Sequence, residues 1–354
     1  MRRIFFFALV VLCGLGQPAT ACSVPVFRYA LERWKASPFE VTVFSKGPLS
    51  EAERETVRRL DGTAHVNIRV TSVDLDKEPT PEQRKRWATH GSAKTLPVVV
   101  IAYPDSDDQT PPFWTGPLAE LDAAAILDSP TRRLIAERLL SGETAVFLLL
   151  EGLDPEANRV TATLLEKEVA RLMKATRLPA ASEVGPQVES PLPFRIGFSH
   201  LRLSRSAPGE EMFVRMLLRC KPGLTNEEGP VVLPFFGRGR LLDALHGEEL
   251  SAEMLAKVVD FLCGACTCQV KDATPGIDML FAVDWNGRVF PEIPREASSR
   301  FVGASPEMAL SDMAQEQTPR QYRRWLWAAF SAVGIMTLAS GAWALRSLRR
   351  TPNS

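Results

Sequence analysis

Thr95-Leu96-Pro97-Val98-Val99-Val100-Ile101 is the stretch whose reading decides the fold of the first half of the chain. The apolar, β-branched run after Pro97 reads as a strand buried on both faces, and Pro97, lacking an N–H, marks its entry. Upstream, Phe39-Glu40-Val41-Thr42-Val43-Phe44 alternates and is β-branched, so it reads as a strand. Residues 66–75 form another, with Asp74 and Asp76 at its end. Between these two, Ser50 with Glu53 three positions on is a capping box that opens a helix to about residue 60. Residues 81–90 read as a short helix. Downstream come a polar turn at 105–109, a strand around Phe113-Trp114-Thr115, and a helical segment 119–140 broken near Ser129-Pro130. Val26, Phe27, Ala30, Leu31 and Trp34 recur at helical spacing ahead of the first strand.

Strand, helix, strand, helix, a proline-led strand, a hairpin partner and a last helix: this order resembles the thioredoxin fold. The resemblance is carried by residues 39–44 as the first core strand, by Thr95-Leu96-Pro97 at the family's cis-proline position and by Gly116 after the hairpin. It implies a Cys-x-x-Cys redox loop after the first strand. Here that loop is Ser45-Lys46-Gly47-Pro48, so the family mechanism of disulfide exchange has no thiols to use.

Leu140-Ser141-Gly142-Glu143 reads as a boundary, after which the pattern restarts. Residues 145–151 are a buried strand, and Asp154-Pro155 opens a helix to about 176 with Val160, Leu164, Leu165, Val169 and Leu172 on one face. Residues 177–193 read as a surface loop, 194–203 and 212–220 as strands, and 229–236 as a second proline-led strand with Pro230 at the position the resemblance assigns to a cis-proline. Gly237-Arg238-Gly239-Arg240 reads as a hairpin turn with exposed arginines, with a phosphate cradle as the alternative. A helix over 251–262 and an added strand over 276–285 complete the unit. Its first loop, Gly152-Leu153-Asp154-Pro155, again lacks cysteine. The expected fold class is therefore α/β, with two tandem thioredoxin-like domains over 22–140 and 141–289 and one C-terminal transmembrane helix. The segments Cys22-Ser23-Val24-Pro25-Val26-Phe27-Arg28-Tyr29 and Cys266-Thr267-Cys268-Gln269-Val270-Lys271 also resemble an uncharacterised bacterial family of exported membrane proteins, a likeness that brings no activity with it.

The ends set the compartment. Met1-Arg2-Arg3, an apolar run from 4 to 15 and Ala19-Thr20-Ala21 read as a signal peptide over residues 1–21. Cleavage before Cys22 makes Cys22 a candidate for lipidation. Residues 290–323 are a Pro- and Ser-bearing linker, and 324–345 are an apolar span of about 20 residues, the length a bilayer core requires. Trp325, Trp327 and Trp343 stand at its ends, where indoles favour the membrane interface. The expected product is a single-pass protein of the inner membrane, its body outside the cytoplasm and residues 346–354 as a cytoplasmic tail. Lys and Arg total 42, as do Asp and Glu, which leaves no basic excess for a nucleic-acid surface. The expected partners are the membrane and a protein in the membrane or periplasm.

Reactive side chains concentrate at Cys263-Gly264-Ala265-Cys266-Thr267-Cys268. Three chemistries fit: disulfides drawn from Cys220, Cys263, Cys266 and Cys268, suited to an oxidising compartment; metal capture by the same four thiolates; and a dithiol redox centre within Cys263, Cys266 and Cys268. The first leads, because Cys263 closes a helix whose C-terminal partial negative charge disfavours a thiolate. No cofactor is implied, and the histidines show no metal spacing. The leading functional expectation is a non-enzymatic, membrane-tethered binding or scaffold protein, with a thiol oxidoreductase or thiolate metal handler as the alternative. A reporter joined after Ser354 should be active on the cytoplasmic side only; activity outside would reverse the topology.

Overall fold

Among the described residues nine strands build two sheets, and the first strand of each is flanked by a parallel and an antiparallel neighbour. The structure is a computed structural model that describes residues 24–91, 96–106, 110–179, 184, 188–266, 271 and 275–291. Residues 1–21, Cys22, Cys268, the linker from 292 on, residues 324–345 and residues 346–354 lie outside these residues. Among the described residues, no helix is long and apolar enough to cross a membrane.

The chain runs through helix α1 (Val26–Arg33), strand β1 (Phe39–Ser45), α2 (Glu51–Asp61), β2 (Ile68–Asp74), α3 (Pro81–His90), β3 (Val98–Ala102), β4 (Trp114–Pro117), α4 (Ala123–Leu127) and α5 (Pro130–Leu140). It continues with β5 (Ala145–Leu150), α6 (Pro155–Ala175), β6 (Phe198–Leu203), α7 (Glu211–Arg219), β7 (Val231–Phe236), β8 (Arg240–Leu241), α8 (Ala252–Cys263), β9 (Ile277–Asp278) and α9 (Trp285–Val289). The first sheet has the order β2-β1-β3-β4 and the second β6-β5-β7-β8-β9. In each, the opening strand pairs parallel with the next in sequence and antiparallel with the third. The capping box at Ser50 and Glu53 is present, a second one joins Thr80 and Gln83, and Asp154 caps α6. The Leu96–Pro97 peptide is cis; the Gly229–Pro230 peptide, expected to match it, is not.

Residues 212–220, expected as a strand, fold as α7 with Cys220 as its C-cap. Phe213, Val214, Met216 and Leu217 are its buried positions, a spacing of one helical stripe that the short apolar run had disguised. This helix fills the gap the sequence left between the second unit's parallel and antiparallel strands. The strand expected over 276–285 shrinks to Ile277–Asp278 before the chain turns into α9.

Every residue of β5 and β7 is buried, so both faces of the second sheet need cover. Burying each of Leu148, Leu149 and Leu150 contributes roughly 1.5–3 kcal/mol relative to exposure. On one face, Val146, Leu148, Leu150, Leu233 and Phe235 join a core continuous with Phe39, Val41, Val43 and Ile101 of the first sheet, with α4, α5 and α7 contributing to the same core. On the other, Phe147, Leu149, Val232 and Phe236 pack against α6, α8, Val26, Phe27 and Ala30 of α1, and Trp34 at its C-cap. The N-terminal helix therefore belongs to the second unit's helix layer, and the expected division at residue 140 does not separate two cores. Gly237 permits this, since a Cβ there would stand 2.8 Å from the Ala30 Cβ.

Two further devices join the halves. Residues 278–283 run between them: Asn67 Nδ2 donates to Met279 O, Phe281 N donates to Asn67 Oδ1, and Val283 N donates to His65 O. Arg132, fully surrounded, donates to the carbonyls of Ala125, Ile126 and Leu280, and burial pulls its guanidinium down to about 10. The second device is a buried pair on α1. Arg28 Nε meets Glu32 Oε1 at 2.7 Å with both side chains 1% exposed. Arg28 also donates to the carbonyls of Ser190, Leu192 and Pro193, and Glu32 accepts the N–H groups of Glu189 and Ser190. Arg28→Met should leave Glu32 charged, buried and short of a partner, and cost about 3–5 kcal/mol, measured as a lowered urea midpoint of the full chain.

Candidate functional site

Three places qualify by the chemistry of their side chains: the cysteine segment, the loops that follow the first strand of each unit, and a cavity where the units meet. At the first, α8 closes at Cys263, and Gly264 turns into extended backbone. Ala265 then bridges Pro25 in antiparallel fashion, with Val26 N donating to Gly264 O at 3.0 Å and Cys266 N to Val24 O at 2.9 Å. Cys266 is 2% exposed. Burial pushes the Cys263 thiol up to about 12, and the Asp260 charge adds to the shift.

Cys220 stands elsewhere. It packs on the core shared by the two sheets, whereas Cys263 and Cys266 pack on the opposite face of the second sheet. A disulfide needs Cα atoms about 4.4–6.8 Å apart, and layers on the two faces of a sheet are separated by much more. A link from Cys220 to Cys263 or Cys266 is therefore not supported by its placement. Its Sγ lies 3.1 Å from Leu217 O, and burial pushes its thiol up to about 12. Cys22 and Cys268 lie outside the described residues. Among the described residues, no three metal-ligating side chains converge.

At the second place, the loop after β1 is organised by Asp74. Its Oδ1 accepts Gly47 N at 3.2 Å and Asp76 N at 3.1 Å, and Lys77 Nζ lies 3.6 Å from Oδ2. The Asp76 N–H, then the Gly47 N–H and Lys77, hold its carboxyl below the usual range. Gly47 takes a left-handed φ of 68°, which suits glycine. In the second unit, Asn158 exchanges hydrogen bonds with both backbone groups of Gly152, and Leu153 N donates to Glu228 O. Neither loop carries a group able to act as a nucleophile in disulfide exchange.

The third place was not visible in the sequence. A cavity of about 430 Å³ is lined by Pro104, Asp105, Arg240, Lys271, Pro275, Gly276, Ile277 and Asp278. Arg240 Nη1 meets Asp278 Oδ1 at 3.2 Å, and Lys271 Nζ meets Asp278 Oδ2. Ser37 N donates to Asp278 Oδ2, and Lys271 Nζ donates to Lys35 O and Ser37 Oγ. The Arg240 guanidinium lies over the Trp34 ring at 6.0 Å. The expectation of exposed arginines in the Gly-Arg-Gly-Arg turn is thus overturned: Arg238 and Arg240 are both buried. Arg238 closes the end of α1 by donating to the carbonyls of Leu31 and Glu32, so it is committed inside the protein rather than presented to a phosphate. Three segments distant in sequence line this cavity, and no local motif signals such a meeting.

No family model matches this chain, and no curated protein sequence matches it either.

The two raised thiols make stability fall in alkali. Unfolded thiols release their protons near 9, while the folded Cys220 and Cys263 keep theirs to about 12. Their stabilising contribution is complete below about pH 9 and is lost as pH rises through 12. Cys220→Ala with Cys263→Ala should flatten the decline in urea midpoint between about pH 8 and pH 10.

Proposed function

We propose that this chain is an exported binding or scaffold protein, tethered to the inner membrane, whose two α/β units are thioredoxin-like folds without the family's redox loop. One observation carries this reading. The four strands of the first sheet and the first four of the second share one order and one set of directions, while the loop after each opening strand holds Ser45-Lys46-Gly47-Pro48 or Gly152-Leu153-Asp154-Pro155 in place of a dithiol. A fold that keeps its framework and replaces its reacting groups retains surfaces for holding another molecule. Cys263 gives thiol chemistry little support, because it closes α8 at the negative end of the helix dipole and burial keeps it protonated.

The tether is the apolar run from Trp325 to Leu345, and the partner is a protein of the membrane or periplasm. The purified full chain should not accelerate insulin reduction by a dithiol above the uncatalysed rate. Acceleration that Cys266→Ser abolishes would replace this reading with a thiol oxidoreductase.

A further inference from the structure

We propose that helix α6 is the contact surface of a dimer, occupied by α6 of a second copy of this chain laid antiparallel to it. Leu153, Ala157, Val160, Leu164 and Lys167 follow one another at alternating steps of four and three residues, the spacing that keeps positions on one seam of a helix. Leu153 stands one residue ahead of the Asp154 cap and heads the line. It is 68% exposed and Val160 54%, while Ala157 and Leu164 are partly buried. A single exposed apolar side chain is ordinary. Four in line are a different matter, because α6 already buries a separate stripe of Thr161, Leu165, Val169 and Leu172 against its own sheet and needs no other.

Two features select a second copy as the occupant. The first is that the seam is complementary to itself. A two-fold axis midway between Ala157 and Val160 sets Leu153 against Leu164 of the second copy and Ala157 against its Val160, so every apolar position meets an apolar one and the small Ala157 lets the helices approach at the centre. The second is charge. Lys167, next along the seam, forms no ion pair among the described residues, and neither does Asp154, whose carboxylate accepts Glu156 N. At 1.5 Å per residue the same two-fold brings Lys167 to about 6 Å along the axis from Asp154 of the second copy, within the reach of a lysine side chain. A parallel arrangement sets Lys167 beside its own copy, like charge against like. The apolar seam is only about 16 Å long, so the contact is smaller than the roughly 800 Å² per partner of a standard complex and belongs to the weak class. The inference is independent of the tether and of any thiol in the chain.

Sedimentation velocity of the purified full chain, from about 10 µM to about 1 mM, tests the proposal, with a monomer–dimer equilibrium expected near about 0.1 mM. Val160→Lys should raise the dissociation constant about ten-fold or more and leave the melting temperature unchanged, because the side chain it replaces is exposed. Asp154→Asn, which keeps a capping side chain, and Lys167→Met should each weaken dimerisation about three-fold, the size of partly exposed ion pairs. Combining the two should cost no more than either alone, since both remove the same contacts. A chain monomeric throughout that range, an assembly larger than a dimer, a dimer indifferent to Val160→Lys, or additive effects of Asp154→Asn and Lys167→Met would each overturn it.

Discussion

A strand buried at all of its positions cannot stand at the surface of anything, and β5 is such a strand. Leu148 faces one way and Leu149 the other, so apolar layers must exist on both sides of the second sheet at once. Its own helices α6 and α8 cover part of one side and α7 part of the other; the remainder of the cover is borrowed. The first unit's helix α5 and inner sheet face close one side, and α1, which precedes the first unit in sequence, closes the other. Tandem repetition has thus become interlocking, and the two halves form one packed body.

Charge follows the same logic. Arg28, Arg132, Arg238 and Arg240 are all buried, and three of them spend most of their donors on backbone carbonyls at places where chain segments meet. Guanidinium suits that task, because its planar fork of donors satisfies several carbonyls from one side chain. Arg240 differs in sharing Asp278 with Lys271. It is the one of these four that lines the cavity.

Much of the fold could be read in advance where the signal was local. The capping box at Ser50, the Asp154 cap, the break at Ser129-Pro130 and the buried runs of β3, β5 and β7 all act within a few residues. Helix α7 escaped because nine residues with six apolar side chains satisfy a strand and a helix almost equally, and tertiary packing decides between them. The buried arginines escaped because charge in a turn ordinarily points to water, and only the arrival of α1 at the hairpin takes it away. The separation of Cys220 from Cys263 and Cys266 depends on which face of a sheet each approaches, a property no spacing of cysteines encodes.

Helix α1 also sets an order of events. It is made before any other element described here, yet its packing partners β7 and α8 begin about 200 residues later in the chain. Contacts of such long sequence separation form slowly, since a long loop must close before they give any return. During synthesis the amphipathic segment from Val26 to Arg33 therefore emerges ahead of every other described element and stays unsatisfied until nearly the whole body has followed. Maturation of this protein is gated by its last elements, and a truncated product leaves the apolar face of its own N-terminus uncovered for proteases and chaperones to read.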